Sequence, residues 1–186
     1  MRLTWSKLRS DTKRGSSVEL SRFFYEKIKL LSWIFLGLVL FSGSSDAFRG
    51  AFQDGIYAAQ RGDYKTAYKL WLPLAEQGNV AAQYNLGVMR DRGDGVLQSH
   101  KEAIKWFRLA AEQGNSKAQY NLGVMYNQGQ GVLQDNVLAH MWFNLSGSRG
   151  IERATYKIKK CEEKMSPTQI EKARAMARNW RPKKIV

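Results

Sequence analysis

The chain contains a single cysteine, Cys161, so no intrachain disulfide can staple its fold. Its only histidines are His100 and His140, with no His-Glu-x-x-His run and no Cys/His spacing of the kind that holds zinc. No Gly-x-Ser-x-Gly turn is present to present an activated serine. The Gly-rich stretches "GDGVLQ" and "GQGVLQ" lack the closing Gly-Lys-Ser/Thr of a phosphate loop and follow no strand, so they read as turns. These absences leave no catalytic residue, no metal ligand and no cofactor site to nominate.

Long apolar runs are also missing. The strongest, Leu30 to Phe41, holds twelve uncharged residues, short of the roughly 20 needed to span a bilayer and within the range of about 7 to 15 of a signal-peptide core. Arg22, Lys27 and Lys29 precede it, and Ser45 and Ala47 suit the small positions before a cleavage site, making Phe48 the expected mature N-terminus. An uncleaved signal anchor and a buried core helix are the alternatives. No cysteine follows the run, which excludes lipid attachment at such a residue. The expected location is outside the cytoplasm, periplasmic or secreted, or else inner-membrane anchored with the remainder exported.

The formal charge of +14 suggests nucleic acid until it is located. Residues 1–47 carry eight Lys/Arg against four Asp/Glu, residues 48–148 ten against eight, and residues 149–186 twelve against four. The middle is nearly neutral, so a basic nucleic-acid groove is not expected there. The basic tail, "RPKK" included, has nucleic acid, an acidic membrane surface and an acidic partner as possible targets; a solvated capping face is the favoured reading.

What the sequence does contain is repetition. "AQYNLGVMRDRGDGVLQ" at 82–98 returns as "AQYNLGVMYNQGQGVLQ" at 118–134, thirty-six residues later. A stacking unit must be rebuilt for every layer, so the repetition points to architecture. Gly78 can end one helix in the left-handed conformation and Asn79 can cap the next. Ala82, Leu86 and Met89 then fall at helical spacing, widened by Tyr84 and Val88, until "DRGDG" stops the run. Ser99 and Glu102 form an expected capping box for a second helix, whose apolar side is Ala103, Trp106, Phe107, Ala110 and Ala111 and whose end is Gly114. The next copy uses Ala118, Leu122 and Met125, a cap at Asp135, then Ala139, Trp142, Phe143 and Ser146, and closes at Gly150. An earlier copy fits if its inter-helix loop is four residues shorter, which aligns Gly55 with Gly87 and Ala67 with Ala103.

Gly55, Gly87 and Gly123 lie inside helices, where glycine costs about 1 kcal/mol relative to alanine. The expected gain is close approach of the partner helix at the equally small Ala67, Ala103 and Ala139. After Gly150 the repeat gives way to a charged sequence in which Ser166, Pro167 and Gln169 signal a final helix from Pro167 to about Trp180. The expected organisation is a basic leader and signal segment at 1–47, helix-pair repeats at about 51–79, 80–115 and 116–150 within a region 48–150, and a basic helical cap at 151–186.

These motifs resemble the Sel-1-like repeats, relatives of the tetratricopeptide repeats. The likeness rests on "AQYNLGVMYNQGQGV", on "EAIKWFRLAAEQGN", and on "AHMWFNLSGSRG" followed by "MSPTQIEKARAMARNW". The resemblance implies an all-α fold, a right-handed α/α solenoid, used as a protein-interaction scaffold, often in bacterial envelope or signalling complexes. A cysteine-rich branch of the family joins its helices by disulfides and is associated with β-lactam binding, but Cys161 alone cannot supply such bridges.

The scaffold reading implies a protein or peptide partner, held by helix-in-groove or extended-peptide capture on the concave side. Its alternatives are an envelope enzyme or small-molecule binder and a membrane-tethered accessory. Positions that change while the scaffold repeats are candidate partner contacts. They are Arg90, Asp91, Arg92 and Asp94 in one copy and Tyr126, Asn127, Gln128 and Gln130 in the next; drift at solvated sites explains them equally well. Tyr84, Trp106, Phe107, Tyr120, Trp142 and Phe143 recur at helical spacing and read as core. Cys161 stands beside Lys159 and Lys160, which should lower its thiol pKa.

Overall fold

The computed structural model describes residues 49–183. The apolar run Leu30 to Phe41, the cleavage site after Ala47 and the N-terminus at Phe48 lie outside the described residues. Within them the chain is helical throughout, with no strand. The helices are α1 (49–60), α2 (Tyr64–Glu76), α3 (Val80–Arg92), α4 (His100–Glu112), α5 (Ser116–Gln128), α6 (Asn136–Gly147), α7 (Arg153–Glu162) and α8 (Pro167–Asn179). From α2 to α7 each helix packs on the next, and α6 also receives α8. This is an α/α solenoid closed by a two-helix cap.

Local chemistry sets the boundaries. Asn79 and Asn115 each accept, through Oδ1, the N–H of the residue three positions on at 2.9 Å, starting α3 and α5. Gly78 and Gly114, just before these caps, adopt φ of +93° and +97°, a region an L side chain rarely occupies. Gly150 takes φ +90° three residues after α6 ends. Asp135 caps α6 by accepting from both Val137 and Leu138 N–H. Ser166 and Gln169 form a reciprocal capping box with Pro167 in the first turn, so α8 begins where expected and stops one residue short of Trp180.

The capping box expected at α4 is half made. Ser99 Oγ accepts from Glu102 N–H at 3.3 Å, but the Glu102 carboxylate turns away to lie 3.0 Å from Arg90 Nε. A charged partner on the neighbouring helix holds it in place of the neutral cap amide.

The glycine expectation is also corrected. Ala67, Ala103 and Ala139 are fully buried, but they are not what the helical glycines face. A Cβ on Gly87 would stand 2.5 Å from Phe107 Cδ1, one on Gly123 2.6 Å from Phe143 Cδ1, and one on Gly55 within the Trp71 indole. An aromatic ring, one turn beyond each alanine, lies flat on bare backbone. The same ring also meets the aromatic side chain three residues before the glycine, Phe52, Tyr84 or Tyr120, in a tilted pair with centroids 6.0, 5.9 and 5.5 Å apart respectively. Each layer thus repeats one contact of a ring with bare backbone and a neighbouring aromatic.

The glutamine of each "AQYNL" is buried, against the polar reading its type suggests. Gln83 Nε2 donates to Ala75 O at 3.0 Å and Gln119 Nε2 to Ala111 O at 3.2 Å. Those carbonyls belong to the last turn of the preceding helix and also accept the N–H of Gly78 at 3.0 Å and of Gly114 at 2.9 Å, so the glutamine uses their second lone pair. One side chain therefore joins consecutive layers. Gln83 Oε1 in turn accepts from Gln113 Nε2 at 2.8 Å, whereas Gln119 Oε1 is buried without a partner among the described residues. Gln113 Nε2 also donates to Gly78 O at 3.1 Å; Arg149, at the same position one repeat later, keeps that bond by donating to Gly114 O and stacks over Trp180.

The tail past α8 folds back: Lys183 donates its N–H to Glu112 O at 2.8 Å and its Nζ to Glu112 Oε2 at 2.7 Å. The basic end of the chain is in part tied to the repeat region.

Candidate functional site

Of the eight variable residues, Asp91 and Arg92 line one of two clefts. Arg90 is half-buried and spent on architecture: Nη2 donates to the Tyr68 hydroxyl at 2.9 Å, Nη1 to Leu97 O at 3.2 Å, and the guanidinium lies 5.1 Å over the Tyr68 ring. Tyr126 is buried at 6% exposure, which corrects the expectation that it is a solvent-facing contact, and its hydroxyl accepts from Arg108 Nη2 at 2.6 Å. Asn127 Nδ2 donates to Asn136 Oδ1 and to Cys161 Sγ. Gln128 is exposed, Asp94 and Gln130 half-buried, and none of the three lines either of those two clefts. The reason is geometric. The end of each first helix abuts the start of its own second helix, so substitutions there are absorbed between helices. Asp91 with His100 and Asn127 with Asn136 are the same contact in successive repeats, once between carboxylate and imidazole at 2.9 Å and once between amides at 3.1 Å.

The open surface lies elsewhere, along the first helix of each pair. A cleft of about 800 Å³ is walled by Phe52 and Ile56 of α1, Trp71 of α2, Ala81 and Tyr84 of α3, and the start of α5 from Ser116 to Lys117. A second, of about 360 Å³, has Tyr84, Val88 and Arg92 of α3 on one side and Lys117, Tyr120 and Asn121 of α5 on the other, with Ile151 and Arg153 at its end. Tyr84 and Lys117 belong to both, so the two are one track one layer apart. Burial raises the Tyr84 phenol pKa, while the charges of Arg92 and Arg153 and a hydrogen bond with Asn121 oppose the rise. The hydroxyl therefore stays protonated near neutrality, a donor and acceptor on the wall of the track.

Sequence reasoning assigned Tyr84 and Tyr120 to the core and passed over Lys117 and Arg153. Both tyrosines do stack on core rings, and each also presents an edge to the track. The missed signal is positional. Ala81, Lys117 and Arg153 are spaced by thirty-six residues, so a neutral side chain in one layer is a cation in the next two. Leu97 and Leu133, equivalent residues of the inter-helix loops, are 85% and 89% exposed, but each stands alone and encloses nothing.

The other buried polar groups of the described residues are engaged with their neighbours in the fold. His140 is fully buried, with Nδ1 accepting from Asn144 Nδ2 at 2.8 Å and Nε2 donating to Glu162 Oε1 at 2.9 Å. Arg174 Nη2 reaches the same Glu162 Oε1 from α8 at 2.9 Å, so the carboxylate joins α8 to α6. Cys161 is buried, and burial pushes its thiol pKa up; the opposing charges are Lys164 and Lys157, in place of the expected lowering by Lys159 and Lys160. Among the described residues no cluster of His, Cys, Asp and Glu could hold a metal ion, and no helix is long and apolar enough to cross a membrane.

Comparison with known proteins fits this geometry. A family model for the Sel1 repeat matches residues 50–79, 80–115 and 116–151. Among solved structures, the chain is 30% identical to c5321, a protective antigen present in uropathogenic Escherichia coli strains displaying an SLR fold, with a TM-score of 0.67 over 72% of this chain and 29% of that one. It is 33% identical to a Sel1 repeat protein from Oxalobacter formigenes, with a TM-score of 0.55 over 57% of this chain and 44% of the other. The chain thus spans less than half the length of either. No curated protein matches it.

Proposed function

The chain belongs to the Sel1 repeat family, whose members are generally non-catalytic protein-interaction scaffolds, and from that premise we propose that it holds an extended peptide segment of a partner protein along the first-helix track. The observation that carries the reading is the continuity of the track across successive layers, with stacked aromatic side chains in its walls and hydrogen-bonding groups beside them. An extended chain needs such a surface: apolar recesses for some side chains and polar groups for its exposed amides. Export to the cell envelope is part of the proposal and rests on the apolar run Leu30 to Phe41 with Ser45 and Ala47 after it.

The test is selection of binding peptides from a displayed random library, followed by titration of the selected peptides into wild type, Tyr84→Ala and Tyr120→Ala. Saturable binding that weakens at least tenfold in either variant is the expected result. Peptides whose binding is indifferent to both variants would place recognition off the track and overturn the reading. The mass of the natively expressed protein tests export: a chain beginning near Phe48 is expected, and one retaining residues 1–47 would refute cleavage.

A further inference from the structure

The two halves of the track differ in charge. The half at α1 and α2 is walled by Phe52, Ile56, Trp71 and Ala81. The half at α5 and α7 is ringed by Arg92, Lys117 and Arg153. All three cations are exposed, and none has a salt-bridge partner among the described residues. The one carboxylate in that cleft, Asp91, is held by His100 at 2.9 Å. Four other cations are paired: Arg90 with Glu102, Arg174 with Glu162 and Glu171, Lys160 with Glu163, and Lys183 with Glu112. Further exposed cations such as Lys65, Lys105 and Lys172 have no ion-pair partner among the described residues, but they line neither cleft, whereas Arg92, Lys117 and Arg153 line the same one.

We propose that this end of the track is a subsite for paired acidic side chains, so that the partner segment carries an apolar residue followed by two carboxylates. The inference rests on the peptide-scaffold reading and specifies its partner. Three cations against one already engaged carboxylate suit two incoming carboxylates better than one, and Asn121 with the Tyr84 hydroxyl adds uncharged donors beside them. The spacing follows from the stack. Neighbouring helices lie about 10 Å apart, and an extended chain advances about 3.3 Å per residue, so the acidic pair falls about three residues from the apolar anchor. The layer-to-layer change from Ala81 to Lys117 to Arg153 gives the track its polarity along the stack.

Fluorescence anisotropy with four labelled, degenerate peptide pools tests this. Each pool has a Trp/Leu/Phe position followed, three and four residues later, by Glu-Glu, Gln-Gln or Lys-Lys, all C-terminally amidated; a fourth has Gln-Gln at the free carboxyl end. The Glu-Glu pool is expected to bind roughly tenfold tighter than the Gln-Gln amide, with a preference that shrinks as salt rises. In the variant Arg92→Glu/Lys117→Glu/Arg153→Glu the preference should pass to Lys-Lys. These residues are surface-exposed, and an unchanged helical circular-dichroism spectrum and melting temperature confirm the fold; single charge reversals, each shifting the preference part of the way, serve if the triple variant melts early. Equal binding of the Glu-Glu and Gln-Gln amides, still lost in Tyr84→Ala, overturns the acidic subsite while sparing the scaffold reading. Tighter binding of the free-carboxyl pool than of Glu-Glu makes the site one for a chain terminus and likewise overturns it. No binding by any pool overturns both.

Discussion

Alanine at Gly87 separates a packing role from mere tolerance of glycine. In an open helix Gly→Ala gains about 1 kcal/mol. At Gly87 the new methyl would lie 2.5 and 2.6 Å from two carbons of the Phe107 ring, against an ordinary carbon contact of about 3.5 to 4.0 Å. The ring would have to retreat by about 1 Å, yet Phe107 is fully buried and also packed against Tyr84. Overpacking of this kind costs about 1 to 3 kcal/mol, so the net change should lie between about zero and 2 kcal/mol of destabilisation. Gly147 is the internal control. It is also helical, but the nearest atom to its new methyl is Ala154 Cβ at an ordinary 3.5 Å, so Gly147→Ala should stabilise by up to about 1 kcal/mol. Urea unfolding of both variants measures the difference. Adding Phe107→Leu should relieve the clash, giving a coupling of about 1 kcal/mol or more in a double-mutant cycle. Stabilisation of Gly87→Ala equal to that of Gly147→Ala would refute the ring-on-backbone account.

Other consequences follow from the same geometry. Gln83→Ala should cost more than Gln119→Ala, because Gln83 both caps Ala75 O and accepts from Gln113, whereas Gln119 makes one bond; about 1 to 3 kcal/mol is expected for the first and roughly half for the second, read from urea midpoints. Glu162 is held below the usual carboxylate range first by its hydrogen bond with His140 and then by Arg174, so its contribution is present above its unfolded pKa and is lost as pH falls through the lower folded value. Stability measured below about pH 5 should therefore fall less steeply in Glu162→Gln than in wild type; equal slopes would contradict the assignment. Cys161 should react with a thiol reagent only as the protein unfolds, since it is 1% exposed and burial raises its pKa; fast labelling in native buffer would show that the cap opens.

The difference between what was legible and what was not follows the range of the interactions. The helices of the repeats and the last helix were readable in order and ends because caps and left-handed glycines act within three or four residues: Asn79, Asp135 and Ser166 do what their neighbours in sequence dictate. Helix α7 was not, since no side chain caps its start. The repeat itself dictated a solenoid, since a helix pair with one apolar face can bury it only against another layer. Partnerships across layers were not written in that local code. Gly87 was readable as a close-contact position, but only packing decided that Phe107, and not Ala103, meets it. Arg90 and Tyr126 vary as a recognition surface would, yet Tyr68 and Arg108, each at least eighteen residues away, claim them. The cations Arg92, Lys117 and Arg153 span sixty-two positions in sequence and converge only because stacking returns each repeat to the same face. Sequence by itself thus determined the unit and its stacking through short-range sterics and hydrogen bonds. The tertiary structure decided which side chains remain on the surface, because burial depends on what the neighbouring layer brings.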